Sequence, residues 1–425
     1  MNVKSETKRS TSVAARCCVA MIFLLPAGAM PSGCSTAGDP PTDADMTNDN
    51  LGDPVSAGNA NDGAPDGNEA NVNENNSDDN ANGGDVNSNQ NTGAGENANA
   101  AEPPPDPTWK IVHRGLPSAL LSVRIVSNGD LYAVGTDSLD GDGPYVLRYD
   151  GFEWTRLTTG VEGDLWWVHE AAPGDIWMCG AARLLLRYRP STGAFEQFDI
   201  GENDLETLYG IWGVSAGDIW TVGGSVTRGV LFHFNGDAWS QIDVTTIGDG
   251  SILPTLFKVW GPAADDFFIV GGGGRTLHYD GAEFTLELTD TQRSLFTVHG
   301  DLGGDRVIAV GAAQPGEIWE RAEDGTWTEV SPPGSAGING INIGPSGHAF
   351  AVGVEASTFR FESQGWVEQD NGLTDVSDLA FHAVWVDAEG NAWAVGGDLV
   401  NKPLSQGLMA YYGTGNPSGP IATTD

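Results

Sequence analysis

The chain has 425 residues, with 59 glycines and 14 tryptophans, and 20 lysines and arginines stand against 58 acids. A formal charge of −38 excludes nucleic acid as a partner class, because affinity for a phosphate backbone comes from cationic side chains that displace counterions. Plentiful glycine and aromatics with few bases suit many short strands joined by tight turns.

Residues 1–16 carry Lys4, Lys8, Arg9 and Arg16 against the single acid Glu6, and "CCVAMIFLLPAGAM" follows from Cys17 to Met30. That apolar run is shorter than the roughly 20 residues that span a bilayer. A basic start, a short apolar run and small residues describe an export signal, assigned to residues 1–33. The stretch "MPSGCST", Met30 to Thr36, resembles the lipoprotein signal of bacteria, in which a small pair precedes the modified cysteine. Ser32 and Gly33 fit that pattern, and Pro31 departs from the leucine the family carries there. The resemblance implies a lipid on Cys34, and Ser35 in place of aspartate implies sorting to the outer membrane or cell surface. Ordinary cleavage near Ala29 or Gly33 is the alternative, leaving Cys34 incidental and the chain periplasmic or secreted.

Residues 34–106 form a tether. From Ser35 to Asp106 there are eleven aspartates and four glutamates, with no aromatic, lysine or arginine. Such a segment cannot bury enough apolar surface to offset chain entropy, so disorder is expected. "EPPPDP", Glu102 to Pro107, ends it as a stiff extended stop.

One pattern then returns seven times, closing on Gly135, Gly180, Gly223, Gly271, Gly311, Gly353 and Gly396 at spacings of 40 to 48 residues. "GDIWMCGA" (Gly174 to Ala181) and "GDIWTVGG" (Gly217 to Gly224) show it clearly. The residue before each glycine is valine, except at Cys179, which therefore reads as an inert core residue. Cys17, Cys18 and Cys34 precede the repeats, so no internal disulfide is available to them. Each unit divides into four strand-like pieces separated by glycines or by Asn-Gly and Asp-Gly turns, such as "YDG" at Tyr149 to Gly151 and "FNG" at Phe234 to Gly236. An aromatic opens the fourth piece in six units, at Trp154, Phe195, Trp239, Phe284, Trp327 and Trp366. The seventh unit lacks this piece, and "TWKIVHRG", Thr108 to Gly115, supplies it ahead of the first unit.

Four strands per unit, repeated seven times, predict an all-β, seven-bladed β-propeller over residues 107–415, its ring closed by the N-terminal strand, with a disordered tail at 416–425. The units resemble those of exported bacterial propellers in the broad WD, YVTN and BNR-like superfamily. That resemblance covers residues 107–415 and implies the fold; propellers host binding and catalysis alike.

The catalytic patterns of such folds are missing. "DGFEW", Asp150 to Trp154, is one residue tighter than a sialidase Asp-box and lacks its serine. His233 and His278 share one repeat position, which marks a structural slot. "GGGG", Gly271 to Gly274, precedes no Lys-Ser/Thr and is not a phosphate loop. Asp137, Asp140 and Asp142 in "DSLDGDG" alternate as calcium ligands do, against the plainer reading of an acidic hairpin loop, and no other cofactor is expected. One register varies in an informative way: Arg124, His169, Trp212, Trp260, His299, Asn342 and Trp385 recur on the first piece of each unit. These seven residues form a candidate binding ring at the channel mouth, or large wedges between blades near the axis. The expected function is a non-catalytic, monomeric envelope protein, lipid-anchored and binding a protein or polysaccharide. The alternative is a hydrolase or lyase acting on envelope polysaccharide, which would need facing carboxylates at the mouth.

Overall fold

The computed structural model describes residues 106–423, apart from 202, 204, 205 and 249–251. The export signal, Cys34 and the tether up to residue 105 lie outside the described residues. Seven sheets, each with four antiparallel strands, form the blades of a propeller; in blades 1–6 these four strands follow sequence order outward from the axis. Blade 1 starts at Leu120–Ile125 and blade 7 at Ala380–Val386.

Blade 7 is closed from both ends of the domain. Its innermost three strands, Ala380–Val386, Ala392–Asp398 and Ser405–Gly413, come from the end of the chain, and the outermost, Thr108–Leu116, comes from the start. Thr108 pairs with Gly413 and Leu116 with Gly407. Lys110 Nζ reaches past the strand end and donates to the carbonyl oxygens of Gly413, Thr414 and Gly415 at 3.1, 3.2 and 2.9 Å. Trp109 is buried against Phe381 and Tyr412 of blade 7 and Phe350 of blade 6, so the N-terminal strand also fills an interblade seam.

The repeat glycine has one physical cause in all seven blades. It lies directly over the carbonyl that leads into the innermost strand. A Cβ on Gly135, Gly180 or Gly353 would stand 2.1, 1.9 or 1.8 Å from the carbonyl oxygen of Ala119, Asp164 or Gly337. A slip in register follows at each of these sites, where the innermost strand bulges. Close backbone approach, not an unusual φ, fixes glycine there. The residue before it packs inward, and Cys179 does so with no exposure, its thiol pushed up to about 12 by burial.

An acid at the start of the second strand pairs with a base at a fixed position on the third. Asp130 meets Arg148, Asp175 meets Arg187, Asp218 meets His233 and Asp266 meets His278. Blade 5 keeps the pair with its charges exchanged, Arg306 to Glu320 at 2.8 Å. His233 and His278 are thereby placed in a structural slot. "GGGG" is likewise a one-turn connection, equivalent to Ala181–Arg183 in blade 2 and Val354–Ala356 in blade 6.

The tail departs from expectation. Ile421–Thr423 forms a fifth strand on blade 1, parallel to Trp154–Leu157, and Trp154 Nε1 donates to Pro417 O at 2.8 Å. The tail leaves the third strand of blade 7 and ends on the edge of blade 1, so it crosses the closing seam a second time. Short polar composition hid this, because a parallel edge strand needs only three backbone pairings and one aromatic donor. Truncation after Gly415 is expected to lower stability by about 1–2 kcal/mol, the scale of a few lost hydrogen bonds. Urea unfolding of the truncated and full chains checks this, and an unchanged midpoint would contradict the latch.

Candidate functional site

The innermost strands all run toward the same end of the axis, and each delivers one residue there. Arg124, His169, Trp212, Trp260, His299, Asn342 and Trp385 pair in the same register with Tyr132, Trp177, Trp220, Phe268, Ile308, Phe350 and Trp393 of their second strands. All seven line one axial cavity of about 30 Å³.

Each contacts the next blade in turn. Arg124 Nη1 lies 3.2 Å from His169 Nδ1, and His169 Nε2 lies 2.7 Å from Gly213 O, beside Trp212. Trp212 packs on Phe267 of blade 4, and Trp260 on the ring of His299. Asn342 Nδ2 is 2.9 Å from His299 Nε2, while its Oδ1 accepts from Val386 N, the neighbour of Trp385. Trp385 completes the circle under the Arg124 guanidinium, 4.6 Å from ring centre to Cζ. The two alternatives read from the sequence therefore divide by sector. His169, Trp212, Trp260 and Asn342 are buried wedges between blades. Arg124, His299 and Trp385 remain half-buried, on blades 1, 5 and 7, and face the mouth.

Deeper on the same strands, sequence reasoning missed two residues. Lys258 is 3 % exposed; its Nζ donates to Tyr209 O at 2.8 Å and sits 3.3 Å from the ring centre of Trp167. Both line the same cavity. The signal was available: a lone lysine inside the apolar strand "TLFKVWG", two positions before Trp260 and so on the same face. Below them, Leu121, Trp166, Tyr209, Phe257 and Phe296 form a buried plug across the axis. Trp166, Tyr209, Phe257 and Phe296 stack in succession at 5.0, 5.4 and 5.5 Å. The mouth therefore leads to a floor.

Burial governs the protonation of this region. Desolvation, assisted by the charge of Arg124, pushes His299 down to about 3 and holds His169 well below its ordinary value. Desolvation, with the charge of Lys258, does the same to His382, again to about 3. Lys258 itself is pushed down to about 7 by burial, and Arg124 to about 10, with Glu170 acting in the opposite direction. A histidine whose folded value lies below 6.5 stays neutral when folded but takes up a proton when unfolded. Stability from that group is present above 6.5 and is lost as pH falls toward 3. The stability of the wild type is expected to fall between pH 6.5 and 4 by up to about 1.4 kcal/mol per pH unit per histidine. His382→Gln should flatten that slope by one proton's worth in urea titrations at stepped pH, and an unchanged slope would refute the assignment.

The aspartates of the Asp137–Gly143 loop are committed elsewhere. Asp140 pairs with Arg156 at 2.6 Å and Asp142 with the same Arg156 at 3.5 Å. Asp137 accepts from Leu139 N and Gly163 N at 2.8 and 2.9 Å. This is an acidic hairpin loop held by an arginine, and among the described residues no group of three or more metal-capable side chains gathers. Calcium, the lesser reading of this loop, would require Asp140 and Asp142 to give up Arg156.

No family model matches the chain, and no curated protein does. Solved structures do resemble it. YCF48 from Cyanidioschyzon merolae superposes with a TM-score of 0.55 at 13 % identity, covering 72 % of this chain and 99 % of that one. A structure of YCF48 bound to D1 peptide gives 0.54 at 14 % identity, with coverage of 72 % and 97 %. The WD40 β-propeller domain of Doa1 gives 0.53 at 9 % identity, with coverage of 73 % and 99 %. At these identities the likeness is one of fold: the chain carries a WD40-like, seven-bladed β-propeller.

Proposed function

We propose that the chain is a non-catalytic binding protein of the cell envelope, held by a lipid on Cys34 and recognising a protein partner at the axial mouth of its propeller. The observation that carries this reading is the half-buried sector of Arg124, His299 and Trp385 on a rigid, floored ring. Arginine and tryptophan, stacked here on one another, are residue types enriched at binding hot spots. Support by analogy comes from YCF48, a propeller of the same shape solved with a bound D1 peptide. No aspartate or glutamate is among the described residues lining the cavity, which weighs toward binding over the polysaccharide hydrolase or lyase, whose chemistry needs facing carboxylates.

Two measurements test it. The full chain expressed with labelled fatty acid should acquire the label, and Cys34→Ser should not; a labelled Cys34→Ser chain would overturn the anchor. Immobilised full chain exposed to solubilised envelope of its own source should retain one protein, with at least tenfold less retained by Arg124→Ala. Retained polysaccharide that shortens on incubation would instead establish the enzyme reading.

A further inference from the structure

The cavity behind the mouth has an unusual charge make-up. The protein is strongly acidic, yet the described residues lining its axis include Arg124 and Lys258 and no carboxylate. Neither cation is neutralised by an acid at hydrogen-bond range. Lys258 Nζ has three donors; one meets Tyr209 O, and the face of Trp167 lies against the ammonium. Arg124 has Nη1 directed to His169 and the guanidinium stacked on Trp385, while its buried Nε has no hydrogen-bond partner. The acid that acts on Arg124 through space, Glu170, is turned away into the surface turn, where it accepts from Ser127 and Gly174.

A buried lysine and a half-buried arginine without a counter-ion are costly, because desolvation in a low-dielectric interior is repaid only by pairing. Evolution commonly removes such groups or replaces them by apolar ones. Here the ring holds both beside an open space. That space, about 30 Å³ for the centres of water-sized groups, accommodates two or so such groups, which matches the pair of oxygens on a carboxylate. Planar guanidinium donors suit that geometry. The aromatic floor limits depth, so only a small head group fits below the mouth.

We infer that the axial cavity is a carboxylate-binding site in which Arg124 and Lys258 supply the positive charge, Trp385 and Trp167 hold those two side chains in place, and the half-buried mouth admits the ligand. Burial presses the Lys258 ammonium toward its neutral form, and pairing with an entering anion favours the charged form again. The site stands whether or not a protein docks at the mouth. A carboxylate could arrive free in solution or on the end of a polypeptide.

The experiment uses the full chain and two probes, sodium formate and triglycine, with the C-terminal amide of triglycine as control. Ionic strength is kept constant with a bulky sulfonate too large for the cavity. Binding is read by tryptophan fluorescence, since Trp167 and Trp385 lie against the two cations, and by the rise in Tm. Saturable binding of formate alone identifies a free small carboxylate as the ligand. Binding of both formate and triglycine, but not the amide, identifies a polypeptide terminus. Lys258→Met and Arg124→Gln should each weaken binding at least tenfold. Lys258→Met removes a buried charge at nearly constant volume and is expected to fold, so a folding failure of Arg124→Gln leaves the test intact. Absence of saturable binding by either probe, or undiminished binding in folded Lys258→Met, overturns the inference.

Discussion

Deleting residues 106–116 is expected to abolish cooperative unfolding of the domain. The strand Thr108–Leu116 supplies the outer edge of blade 7, pairs with Gly407 to Gly413, and buries Trp109 between blades 6 and 7. Trp109→Ala alone should cost about 3–5 kcal/mol, the usual range for emptying a buried tryptophan site. Losing the whole strand also frees the third strand of blade 7 as an open edge and removes the three bonds from Lys110. Blades then hold together around an interrupted circle, and each remaining interface is unlocked from its neighbour. A broad, non-cooperative thermal transition is the expected signature. A permutant that begins at Ser118 and carries residues 108–116 after Gly413 through a short turn should recover the transition, because Thr108 and Gly413 are paired neighbours. A sharp transition in the deletion chain at the wild-type temperature would mean that ring closure contributes little.

Gly353→Ala is expected to be among the most damaging single methyls in the protein's repeat, alongside Gly396→Ala. Its Cβ would sit 1.8 Å from Gly337 O and 2.8 Å from the carbonyl carbon, both backbone atoms that cannot rotate away. The innermost strand of blade 6 must shift, and with it the cycle of contacts through Asn342. Overpacking of a tight core costs typically about 1–3 kcal/mol, and a backbone clash belongs at or above the top of that range. Gly217→Ala is the matched control: it lies in the same motif of blade 3, and its Cβ would meet nothing closer than 3.5 Å. That change should stay within about 0.5 kcal/mol of the wild type. Equal losses at the two positions would show that the glycines recur for chain flexibility and not for close approach.

The architecture was open to reading because its causes are local and repeated. A glycine forced by a carbonyl, an Asx turn and an acid paired to a base each leave the same residue type at the same offset. Asp150 and Asp280 show the turn: each side chain accepts from the backbone N–H groups two and three residues on. The missing fourth piece of the last unit likewise announced the closing strand. The tail was not legible in this way, since "IATT" has no partner signal and its place depends on where blade 1 brings Trp154. The register of the axial ring was legible because its neighbours were uniformly apolar while it varied. Which members stay accessible could not be read, because that depends on what the next blade presents. Trp260 is covered by His299 of blade 5, whereas Trp385 packs on the core between blades 7 and 1, lies under the Arg124 guanidinium and stays half-buried. Blade 5 has a turn one residue longer, and His299 still pairs in the ring's register, with Ile308. Lys258 was overlooked because a single lysine in an apolar strand looks like noise until the ring brings it to the axis.

The most direct test of the account compares the two ends of the propeller. Retention of the envelope partner would be measured for Arg124→Ala and Trp385→Ala at the mouth, and for Leu139→Asp and Val400→Asp on connections at the opposite end. Leu139 and Val400 are 56 % and 53 % exposed, so their replacement leaves the core untouched. The account predicts at least a tenfold loss for each mouth variant and wild-type retention for the other pair. Full retention by Arg124→Ala and Trp385→Ala, with loss in Leu139→Asp or Val400→Asp, would contradict it.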